Sequence, residues 1–160
     1  QKFMEHLEKN ENQKYTTFLL MCICSGLSMY ITMYFNTYEI SHIYFSWTRL
    51  YMTLIGVSGM AIIMFLFMRK MYTNKIKNMT IVGVSLLIMG LSTFLVRNQL
   101  PINDIAWMKA MIPHHSIAIL TSTNANINDP EVQKLADDII KAQEREIMQM
   151  KEMIKRLENQ

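Results

Sequence analysis

A chain of 160 residues with a formal charge of +3 is long enough for one ordinary domain, or for a few membrane spans and a small soluble module. Its lysines and arginines form no basic stripe apart from those flanking apolar segments, which excludes nucleic acid as a partner. Apolar residues are 51% of the chain, but most lie between residues 15 and 96 with charged flanks on both sides, the pattern of a membrane protein with soluble ends.

In chain order, residues 1–14 read as a charged cytoplasmic tail containing Lys2, Lys9 and Lys14, with His6 given no role. Three segments are then long enough to cross a hydrocarbon core of about 30 Å, which takes roughly 20 helical residues. They are Tyr15–Phe35, Leu50–Met68 and Met79–Val96, and none holds an ionisable acid or base. Tyr and Trp gather near their ends as interface anchors. Gly56, Gly59, Gly83 and Gly90 offer places for close helix contact. Cys22 and Cys24 lie inside the first span, so neither is expected to staple an exposed domain.

The linker RKMYTNKIKN carries Arg69, Lys70, Lys75 and Lys77 and no acid. By the positive-inside rule it shares the cytoplasmic side with the N-terminus. The third span then delivers residues 97–160 to the far side, the periplasm or external face of a bacterial inner membrane. The first span is too long and lacks the small-residue site of a cleavable signal, and it reads as an uncleaved anchor. Glu39-x-x-His42, in the first outer loop, has the spacing of di-iron ligands but stands alone, so a solvated loop is expected. Met52, Met60, Met64, Met68 and Met71 form a stripe on the second span. With no intramembrane charge or broken helix beside them, packing accounts for them better than a metal path.

Residues 97–160 read as a helical hairpin. Pro101 and Asn103-Asp104 mark a break, a helix follows over about Ile105–Ala125, and NINDPE turns the chain. Asp129 suits an N-cap, Pro130 the first helical position and Glu131 the first turn of a second helix to about Leu157. Spacings of three and four join Val132, Ala136, Ile139, Gln143, Glu146, Met150, Met153 and Leu157 into a seam. Its polar members Gln143 and Glu146 need partners, because burying an unpartnered polar group costs about 1–3 kcal/mol. On the first helix Met108, Met111, His115 and Ala118 share a face, with His114 on its shoulder. A turn near Ile127 and Asn128 places residues whose numbers sum to about 255 side by side: His114 by Lys141, Met111 by Glu144, Met108 by Ile147. Pro113 is expected to kink the helix before the histidines and to free the Lys109 carbonyl.

Thioethers and imidazoles together suit a soft or borderline ion, above all Cu(I), with Cu(II) tolerated through the imidazoles. Zinc is disfavoured because methionine is not among its usual ligands. Methionine is also an ordinary core filler, and any one of these sulfurs taken singly reads as packing. The matched set of two facing helices is what favours metal.

The stretch D-x-x-W-M-x-x-M-I-P-H-H-x-x-A-I, Asp104 to Ile119, resembles the signature of the bacterial domain-of-unknown-function family 305 (DUF305). So does D-P-E-V-x-x-L-A-x-x-I-I-x-x-Q-x-x-E-I-x-x-M, Asp129 to Met150. The resemblance covers residues 103–158 and none of the spans. It implies a ferritin-like fold and a copper-binding envelope protein, and by position it marks Asp104, Met108, Met111, His114, His115, Gln143, Glu146 and Met150. Where relatives often carry a methionine after the A-I pair, Leu120-Thr121-Ser122 stands here, so one soft ligand of the pattern is absent.

The expectation is thus an all-α, membrane-anchored protein whose three transmembrane helices precede an extracytoplasmic, ferritin-like hairpin. The metal ligands are expected to be Met108, Met111, His114, His115, Glu146 and Met150, supported by Asp104 and Gln143. A two-helix hairpin buries little by itself, so pairing into a homo-oligomeric four-helix bundle is expected. Copper buffering, handling or tolerance would be the task, with a copper-handling protein as a further partner beside the bilayer. The rivals are a metal-free assembly module and a ferritin-like di-iron oxidase; the latter lacks E-x-x-H pairs in the hairpin.

Overall fold

The computed structural model describes residues 2–159, with side chains from Asn10 onward; those of Lys2, His6 and Lys9 lie outside that description. All regular structure among the described residues is helical. The helices are α1 (Lys2–Thr32), α2 (Trp47–Met68), α3 (Lys75–Asn98), α4 (Asp104–Asn124) and α5 (Pro130–Glu158). Single 3-10 turns occur at Ile40–His42 and Arg69–Met71. The chain divides into two compact units, one of Gln1–Ile31 with Leu50–Leu100 and the other of Thr32–Arg49 with Pro101–Gln160.

The first unit holds three stretches long and apolar enough to span a membrane: Asn10–Thr32, Trp47–Met71 and Lys75–Asn98. The first differs from the sequence expectation at both ends. Its helix begins upstream of Tyr15, because nothing between Lys2 and Lys14 breaks a helix, and it stops at Thr32 rather than Phe35. Large apolar side chains such as Leu19, Leu27, Leu87 and Phe94 remain exposed, the surface a lipid-facing helix needs and a water-facing one avoids.

Two of the expected glycine contacts form. A Cβ at Gly56 would lie 2.9 Å from the Met29 sulfur, so α1 and α2 meet there because no side chain intervenes. Gly59 approaches Met89 of α3, and Gly26, which the sequence reading passed over, lies against Val57. Gly83 and Gly90 face open space, contrary to expectation, because α3 turns them away from its neighbours. At one end of the unit Phe18, Ala61, Phe65 and Tyr72 form a buried cluster. Beside it the Tyr15 hydroxyl donates to Asn78 Oδ1 (2.7 Å), and Asn78 in turn donates to the Tyr72 carbonyl (3.0 Å).

The second unit is the hairpin with the loop between α1 and α2 folded onto it. Asn103 Oδ1 accepts from the Ala106 N–H (2.9 Å) and caps α4. Asp129 Oδ1 accepts from Glu131 and Val132 (2.9 and 3.0 Å), and Pro130 opens α5, as the sequence indicates. Met108, Ile112 and Ile119 of α4 interlock with Ile147, Met150 and Ile154 of α5. The observed seam departs from the expected one. Val132 and Met153 are about half exposed, whereas Ile147 and Ile154 are buried.

The register departs too. His115 meets Glu146 and Lys109 meets Glu158, both farther along α5 than a sum of 255 allows. The connection explains this. Ala125 and Asp129, at its two ends, have extended backbone, and extended residues advance about 3.3 Å each against 1.5 Å in a helix. The loop therefore overshoots the end of α4, and the first turns of α5 overhang it with Val132 and Leu135 exposed.

Candidate metal centre on the hairpin

α4 runs unbroken through Pro113, which is fully buried with Ile112 and Ser116. Proline lacks the N–H that would bond the Lys109 carbonyl, yet core packing on either side holds the helix together. The two histidines that follow diverge. His114 is exposed and His115 half-buried, their rings 6.0 Å apart at 61°. Successive helical residues lie about 100° apart around the axis, so a histidine pair cannot face one point without a break in the helix.

His115 is the ring that faces α5. Its Nδ1 lies 3.0 Å from Glu146 Oε2. Despite that approach, this buried nitrogen makes no well-formed hydrogen bond. Burial lowers the His115 pKa; Glu146 opposes that shift, and His114 adds to it. The neutral imidazole, which is the metal-binding form, is therefore favoured.

The methionines take three positions. Met108 and Met150 sit in the hairpin core, and Met111 packs against that core from its edge. Gln143 is half-buried on α5, and Asp104 is exposed in the first turn of α4. There its charge suits the positive end of the helix dipole. The structure thus brings together His115 and Glu146, and separately Met108, Met150 and Met111. It leaves His114 and Asp104 on the surface. Among the described residues, no three His, Cys, Asp or Glu side chains converge as a metal-holding group. Among the described residues a carboxylate-rich centre is not assembled.

Sequence reasoning missed the outer loop. His42 is 6% exposed, not solvated, and its Nδ1 lies 2.9 Å from Ser116 Oγ. The Tyr38 N–H donates to the same oxygen (2.8 Å), while His42 Nε2 faces Glu39 at 3.6 Å. Lys151 of α5 donates to Ser41 (3.1 Å), and Tyr44 packs on the hairpin core. Ser116 follows His115 directly, so this loop is fastened to the helical turn that carries the candidate ligand. The signal was present only as an E-x-x-H spacing and as a small polar residue, Ser116, among apolar neighbours.

The family model described as Domain of unknown function (DUF305) matches residues 94–160. A protein of Acanthamoeba polyphaga mimivirus, described as uncharacterized protein L153, is 32% identical over 140 residues, 85% of this chain and 90% of the viral one. The chain belongs to the same family as L153 and carries a DUF305 domain. An alignment of that length runs well beyond the DUF305 domain into the region that precedes it. No solved structure matches the chain.

Proposed function

We propose that this is a membrane-anchored copper-binding protein whose DUF305 hairpin takes up Cu(I) for buffering, handling or tolerance. One observation carries the reading: His115 Nδ1 is buried, biased toward its neutral form and without a directed partner. A buried polar atom left so costs about 1–3 kcal/mol, a cost that ligation of a metal would offset. Met108, Met111 and Met150 lie in or against the core of the same hairpin, and thioether with imidazole is a donor set for Cu(I). Glu146 holds a negative charge beside the ring and offsets the cation. His114, exposed one residue away, is suited to first capture or to a site shared with a second copy.

The basic linker and N-terminal lysines argue for a cytoplasmic N-terminus and a hairpin on the opposite face. A viral relative gives no support to a bacterial membrane in particular. Exposed Trp107, Leu135 and Met148 on the hairpin favour a homo-oligomer in which two hairpins form a four-helix bundle.

The same burial of Met108 and Met150 supports a second reading, a metal-free assembly module in which these sulfurs only fill space. Anaerobic titration of the full chain in lipid nanodiscs, against a chromophoric Cu(I) chelator, separates the two. The copper reading expects submicromolar affinity and a loss of roughly tenfold or more on His115→Ala. Absence of binding, or affinity untouched by that substitution, leaves the assembly module.

A further inference from the structure

The first unit contains a groove of about 400 Å³ between α1 and α3, floored by α2. On α3 its wall runs from Lys77 through Ile81 and Val84 to Ile88, three turns or about 16 Å. The opposite wall is Tyr15, Phe18, Leu19 and Cys22 on one face of α1. The groove therefore lies along the helices. It begins at a cation and continues over apolar side chains, broken only by hydroxyls such as Ser85.

That polarity selects an occupant. The Lys77 ammonium sits 5.0 Å from the centre of the Tyr15 ring and donates to Asn12 Oδ1, both neutral groups. Glu11, the neighbour of Asn12 in the chain, accepts from Thr73 instead. Arg69, Lys70 and Lys75 lie on the same linker, so positive charge gathers at this end.

We infer that this groove binds a single phospholipid with an anionic headgroup, its phosphate at Lys77 and an acyl chain laid along α3 toward Ile88. The inference rests on the membrane reading of α1–α3 and is independent of copper. A basic residue at the membrane surface attracts an anionic headgroup, and the apolar wall excludes a free phosphate or a water-soluble anion from the rest of the groove.

The test is native mass spectrometry of the full chain released from bilayers holding equal phosphatidylglycerol and phosphatidylcholine with identical acyl chains. One phosphatidylglycerol should be retained per chain, preferred by about fivefold, the size of one lysine–headgroup attraction. Lys77→Gln should abolish the preference while Lys75→Gln, outside the groove, keeps most of it. Ser85→Leu, which fills the groove midway, should reduce retention of both lipids. Equal retention of the two lipids by the unaltered chain, or a preference unchanged in Lys77→Gln, overturns the inference. So does a lipid-free dimer with the groove buried between copies.

Discussion

His115 carries opposite demands, and they give the sharpest test at the level of one side chain. Without metal its buried Nδ1 lacks a directed partner, so replacing the ring by an apolar side chain removes a cost of about 1–3 kcal/mol. His115→Leu should leave the metal-free chain equally stable or more so by thermal unfolding, while weakening copper affinity by roughly tenfold or more. A drop of several degrees in the metal-free form would show that the ring is an ordinary structural element. Ile112 is the contrasting case. It is fully buried in the hairpin core, and Ile112→Ala should cost about 2–5 kcal/mol through lost contacts and the cavity left behind. A denaturant titration that finds under 1 kcal/mol would mean the core is loosely packed. Both residues sit in a motif readable from sequence, but their roles were not equally legible. Periodicity finds a face, and it does not say which ring on that face lacks a partner.

At the scale of elements, caps were legible and the outer loop was not. Asp129 and Asn103 cap α5 and α4 because their side chains reach the first free N–H groups within three residues, a local rule that a single sequence exposes. The fastening of His42 to Ser116 joins positions 74 residues apart, and no local rule reports it. It has a pH signature. Burial lowers the His42 pKa from its ordinary value near 6.5, Lys151 adds to the shift, and Glu39 opposes it. Glu144 of α5 lines the same cleft. Because the folded pKa lies below the unfolded one, the undocked loop binds no extra proton well above about pH 6.5, and docking keeps its full stability there. Docking weakens as pH falls through and below that value. Hydrogen exchange at the Tyr38 amide, which donates to Ser116, should therefore be slow at pH 7.5 and faster at pH 5.5 after correction for intrinsic rates. Protection that is flat or rises on acidification would contradict this. Ser116→Ala removes the partner of both groups and should destabilise the docked loop by about 1–3 kcal/mol at neutral pH.

The whole molecule divides into an apolar three-helix unit and a capped hairpin with its loop, and that division follows from how hydrophobicity is distributed along the chain. The existence of all five helices was readable from hydropathy, caps and periodicity. The register of the hairpin was not, because it depends on how far five connecting residues extend, and a turn drawn as compact displaces every facing pair. The expected seam holds in part: Ala136 and Met150 are buried and Leu157 packs on the core. Val132 and Met153 are about half exposed, and a small rotation of α5 brings Ile147 and Ile154 inward. Topology can be checked directly. In a chain with Cys22→Ser and Cys24→Ser, Thr73→Cys reports the α2–α3 linker and Asn126→Cys the hairpin turn. An impermeant maleimide applied to sealed vesicles of known orientation should label the two on opposite sides, with Thr73→Cys cytoplasmic. Labelling of both from one side would refute the proposed orientation.

Copper coordination by the hairpin is the centre of the account, and X-ray absorption at the copper edge of the Cu(I)-loaded full chain tests it most directly. The expected spectrum has a Cu(I) edge with sulfur scatterers from Met108, Met111 or Met150 together with imidazole nitrogen from His115. The sulfur shell should weaken on Met150→Leu and the imidazole signal on His115→Ala. A spectrum with light scatterers alone, unchanged by either substitution, would contradict it.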